Sequence, residues 1–73
     1  PWAGMRVHDG ARLELAGELD VATVPGMHDR ALAAVRGAAG TVVVDLTAVT
    51  HLASAGIGLL LEIAAGAPHG LRV

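Results

Sequence analysis

Hydrophobic and polar positions alternate with period two where Leu13 and Leu15 interleave with Arg12 and Glu14, a pattern that predicts a strand with one wet face. An apolar run from Met5 precedes it, and Asp9-Gly10 between the two supplies the positive φ angles of a tight turn, so the span Met5–Ala16 reads as a hairpin. The exposed side of the second strand places it at a sheet edge, and Gly17-Glu18-Leu19-Asp20 ends it.

The period then changes. Val24, Met27, Ala31, Ala34 and Val35 recur at spacings of three and four, while His28, Asp29, Arg30 and Arg36 project elsewhere. This predicts a helix to about Arg36, with Thr23 as N-cap, Pro25 in the first turn, and Gly37 and Gly40 bracketing the exit. Thr41–Leu46 is β-branched and apolar until Asp45, the signature of a central strand covered on both faces. Thr47–Ala53 reads as a loop, Ser54–Ala65 as a second helix closed by Gly66 and Pro68, and Leu71–Val73 as the start of another strand. On that helix Ile57, Leu60, Leu61, Ala64 and Ala65 form one apolar face, which Leu59 and Ile63 widen beyond what a sheet needs, leaving part of it for solvent or a partner. The order strand, strand, helix, strand, helix, strand defines an α/β fold: a mixed sheet with helices packed against it through right-handed crossovers.

Composition narrows the functions open to such a fold. With 73 residues the chain is a single domain, 1–73, and a core of Ala, Val, Leu and Ile with Trp2 as its one aromatic has a thin stability margin. The chain opens at Pro1 without an initiator Met, and a strand has barely begun at Leu71–Val73, so the domain is expected to be incomplete at its C-terminus. Cysteine is absent, which excludes disulfides, thiolate metal sites and Cys nucleophiles and accords with a cytoplasmic setting. A formal charge of −2, with five arginines against seven acids, offers no basic footprint for nucleic acid. Ile57–Ala67 is too short to span a bilayer and carries Glu62, so no membrane insertion is expected.

The candidate chemistry is sparse. His8, His28, His51 and His69 show no metal-ligand spacing, and Gly56-x-Gly58 lacks the third glycine and the lysine of a phosphate loop; close backbone packing accounts for both glycines. Ala53-Ser54-Ala55-Gly56 lacks the first glycine of a nucleophile elbow, and no general base is placed near it, so the chain reads as no enzyme and needs no cofactor. Ser54 remains, at a helix N-terminus. There its hydroxyl can cap a free N–H, and there a phosphate added to it would meet free donors and the positive end of the helix dipole. Such a phosphate leaves the fold intact but obstructs an interface in which its charge would be desolvated.

Leu15-Ala16-Gly17-Glu18-Leu19-Asp20, Thr23, Pro25, Val42-Val43-Val44-Asp45-Leu46-Thr47, Val49-Thr50 and Leu52-Ala53-Ser54-Ala55-Gly56-Ile57-Gly58 together resemble the STAS domain, the family of anti-sigma factor antagonists and sulfate-transporter tails. The resemblance implies a four- or five-stranded sheet with a further helix-strand-helix portion beyond Val73. It also implies a protein partner, an anti-sigma factor with serine kinase activity that phosphorylates a Ser in Asp-Ser-Ser-Gly or Asp-Ser-Ala-Gly, whose matching position here is Ser54. Ala53 stands where that motif has its acid. Glu18, Asp20, Ala55, Gly56, Leu59 and Glu62 are the expected partner contacts. The alternative is a non-phosphorylated STAS adaptor in a multidomain regulator or a transport complex, in which Ser54 only caps its helix.

Overall fold

The alternating segment becomes β2 (Arg12–Leu19), which pairs antiparallel with β1 (Ala3–His8) in a register running from Ala3↔Gly17 to His8↔Arg12. The computed structural model describes residues 1–9 and 11–73. Asp9, at the expected turn, has φ 53, and Ala11 donates its N–H to the His8 carbonyl; Gly10 lies outside the described residues. A 3₁₀ turn (Val24–Gly26) then leads into α1 (His28–Arg36), β3 (Val42–Leu52), α2 (Ser54–Gly66) and β4 (Leu71–Arg72). The sheet order is β1-β2-β3-β4, with the last two pairings parallel, so the sheet is mixed as the element order predicts.

Both helices cover one face of this sheet. Leu13 and Leu15 of β2, Val42 and Val44 of β3, Ala31, Leu32 and Val35 of α1, and Leu59 and Ile63 of α2 close into one buried cluster. The opposite face carries Arg6, His8, Arg12, Glu14 and Asp45, with Glu14 bonded to His8 at 2.8 Å and Arg12 to Asp45 at 3.2 Å. This two-layer arrangement corrects two expectations. β2 is an interior strand, because its wet positions face the helix-free side of the sheet and not a free edge. β3 is central but covered on one face only, since Val43 and Asp45 are half-buried against the charged side.

The largest departure is β3 itself, which runs 11 residues and absorbs most of the predicted Thr47–Ala53 loop. Against β2 its register slips twice, from Glu14↔Asp45 to Ala16↔Ala48 and from Gly17↔Val49 to Glu18↔His51, so two bulges break the two-residue period. A strand interrupted in this way has no alternation to read. Helix α1 also starts later than its periodicity indicates, because Val24–Gly26 closes first as a 3₁₀ turn, and Gly37 leaves the helix at φ −85, not in the left-handed region.

Candidate protein-docking site

The carboxyl end of β3 sets the start of α2. Ala53 donates its N–H to the Leu19 carbonyl at 2.9 Å and, in extended conformation (φ −91, ψ 178), takes the N-cap position. A Cβ on Gly56 would stand 2.7 Å from the Leu19 Cβ, 2.9 Å from the Leu19 carbonyl oxygen and 2.6 Å from Leu52 Cδ1. Only glycine lets the first turn of α2 rest on the end of β2. Gly58 has nothing within 4 Å of such an atom, so the packing account holds for Gly56 and fails for Gly58.

Ser54 is therefore not the cap. It is the first helical residue, exposed, and its hydroxyl makes no hydrogen bond among the described residues; Ala53, in the cap position, has no side chain able to cap. The first turn contains no acid. Its leading N–H groups lack intrahelical acceptors, and Ile57 is the first to close the ladder, onto the Ala53 carbonyl at 3.0 Å. The result is a free hydroxyl at an uncapped, electropositive helix end.

Two of the expected contact residues come to the same end of the sheet on β2 and the turn after it. Glu18 pairs in register with His51, next to Leu19↔Leu52, and is half-buried. Asp20 is committed to structure, since its Oδ1 accepts the N–H groups of Ala22 at 2.9 Å and Thr23 at 3.1 Å. The Thr23 hydroxyl donates to the Glu18 carbonyl and accepts the Asp20 N–H at 3.1 Å, so Thr23 ties the turn to β2 and does not cap the helix. Ala55 is half-buried beside Ser54.

The remaining contact residues divide. Gly56 is buried under the Leu19 contact, and Leu59 is 1% exposed in the core, so neither presents a side chain to a partner. The apolar face predicted for α2 is the reverse of the one observed: Leu59 and Ile63 point into the core, while Ile57 (48% exposed) and Leu61 (67%) face solvent. α2 is apolar nearly all round, so periodicity alone selects no face. Glu62 lies about two turns beyond Ser54 and is exposed.

Glu62 has a partner that the sequence does not announce. His28 of α1 places Nε2 2.9 Å from Glu62 Oε2 and Nδ1 2.9 Å from Asp29 Oδ1. A carboxylate only accepts, so the two bonds form together when the imidazole carries a proton on each ring nitrogen. The hydrogen bonds to Asp29 and then Glu62 raise its pKa above 6.5. Asp45 moves the opposite way, its carboxyl held below the usual range by the Thr47 hydroxyl, the Thr47 N–H and Arg12. No sequence signal links His28 to Glu62, which lie 34 positions apart.

The chain is thus a small two-layer α/β module with a free serine hydroxyl at an uncapped helix start. Residues 5–73 match the family described as Mlab, STAS domain, and the chain belongs to the STAS domain family. No curated protein matches the sequence. No helix among the described residues is long and apolar enough to cross a membrane.

Proposed function

We propose that the chain is a cytoplasmic regulatory domain of the anti-sigma factor antagonist type, which docks a partner serine kinase through the start of α2 and is released when that kinase phosphorylates Ser54. The observation that carries this reading is the exposed Ser54 hydroxyl at a helix end whose first N–H groups have no acceptor in the helix. Transfer of the γ-phosphoryl of ATP to Oγ yields phosphoserine and ADP and releases the hydroxyl proton. The new charge is stabilised locally by the helix end and obstructs an apolar contact with Ile57 and Leu61. Glu18 and Ala55 border the same surface, and Glu62 extends it along α2.

Incubation with a cognate anti-sigma factor kinase and ATP, followed by phosphosite mapping, tests the reading. Phosphate appears on Ser54 and disappears in Ser54→Ala, and Ser54→Asp weakens kinase binding strongly. Modification that survives Ser54→Ala would refute it.

Ala53 favours a second reading, a non-phosphorylated adaptor of a transport or multidomain complex, because the acid that precedes the phosphoacceptor in the antagonists is replaced by a methyl group. In that case Ser54→Asp leaves partner affinity nearly unchanged, whereas replacing Ile57 or Leu61 lowers it.

A further inference from the structure

The helix-free face of the sheet carries a depression of about 340 Å³ lined by Trp2, Gly4, Met5, Arg6, Glu14 and Ala16. Its floor is low because two of the outward positions, Gly4 and Ala16, are small and directly paired across β1 and β2. Its wall is the indole of Trp2, the sole aromatic side chain, 65% exposed. The backbone holds that wall in place. Glu18 donates its N–H to the Trp2 carbonyl at 2.8 Å, and a Cβ on Gly4 would stand 3.0 Å from Trp2 Cζ2. At Gly17, where φ is +83, a side chain would strike the Trp2 carbonyl and its ring. An exposed tryptophan seated on glycines is an apolar platform kept in place without burial, and tryptophan is among the residues that dominate binding energy at interfaces.

The charges around the platform choose the ligand. Arg6 and Glu14 are cross-strand partners, but Glu14 bonds His8 at 2.8 Å, and Arg12 on the same face bonds Asp45. Arg6 forms no ion pair with a carboxylate among the described residues. The depression thus offers a flat apolar wall and one uncommitted guanidinium, while its carboxylate already has a donor. We infer that the Trp2 depression is a second docking site, for an acidic peptide segment of a partner protein that stacks a planar side chain on Trp2 and sets a carboxylate on Arg6. This surface is on the opposite side of the sheet from the helices and does not depend on Ser54.

Trp2 is the only tryptophan, so its emission reports occupancy directly. Titration of the chain with the capped tripeptide acetyl-Asp-Phe-Asp-amide gives a saturable change in that emission. Acetyl-Lys-Phe-Lys-amide binds at least about tenfold more weakly, and Arg6→Gln weakens the acidic peptide about tenfold, as loss of a charge-assisted contact implies. Arg6 is exposed, so the variant keeps the fold, and an unchanged circular dichroism spectrum shows it. Absence of a saturable change, equal affinity for the lysine peptide, or unchanged affinity in Arg6→Gln overturns the inference. Phenylacetate binding as tightly as the tripeptide assigns the site to a small aromatic acid and overturns the peptide as its occupant.

Discussion

The two helices lie on the same face of one sheet and touch each other, yet their surfaces are composed on different lines. α1 is amphipathic: it buries Ala31, Leu32 and Val35, begins with Asp29 in its first turn and ends with Arg36 in its last, in the sense that complements its dipole. α2 has neither charge, no capping side chain at its start, and apolar residues on both its buried and its exposed sides. α1 is arranged for stability. α2 keeps stability to a narrow strip, Gly56, Leu59 and Ile63, and leaves its outer side and its N-terminal end free for contact.

That contrast breaks most readily at Leu59. Leu59→Ala opens a cavity in the core and destabilises the domain by about 2–5 kcal/mol, while Leu61→Ala, two positions away, stays within about 0.5 kcal/mol, both measured by urea unfolding. Equal losses at the two positions would show that α2 has no free side.

The glycines of α2 sharpen the same point with opposite signs. Gly56→Ala drives a methyl group against the Leu19 backbone and costs about 1–3 kcal/mol of overpacking, partly offset by alanine's better helix propensity. Gly58→Ala meets nothing and stabilises by about 0.5–1 kcal/mol. A rise in thermal midpoint for one and a fall for the other is the expected result.

Ser54 provides the finer test. A serine that caps a helix loses about 0.5–2 kcal/mol on replacement by alanine. Here Ala53 occupies the cap position and the hydroxyl has no protein partner among the described residues, so Ser54→Ala leaves the unfolding free energy, measured in urea, within about 0.5 kcal/mol of the parent. A clear loss would return Ser54 to a structural role.

The smallest effect is the tie between the helices. His28 titrates above 6.5 because it donates to Asp29 and Glu62, so its contribution is full below the unfolded value and is lost as pH rises through the folded one. A proton NMR titration of His28 gives a midpoint above 6.5 in the parent and a lower one in Glu62→Gln; equal midpoints would show that the bond to Glu62 does not form in solution.

Much of this architecture was legible in the residues. The alternation around Leu13 and Leu15, the apolar run Val42–Val44 and the three-and-four spacing from Val24 to Val35 are local patterns, and each produced its element. Ser54 was legible too as a helix-start hydroxyl; α2 begins at Ser54 as its pattern predicts, and for that reason the cap position falls to the residue before it, Ala53, so that Ser54 does not cap. The extent of β3 was hidden, since two bulges erase its period.

By itself, then, the order of side chains determined the element sequence, the mixed α/β class and the position of a serine at a helix start, because these depend on periods a few residues long. Which side of α2 turns inward, that Leu59 leaves the surface, that Gly56 alone of its pair must be glycine, and that His28 reaches Glu62 were decided only when the chain closed. Those outcomes depend on contacts between segments far apart in sequence, and a nearly uniform apolar helix carries no local mark of the face its neighbours will cover.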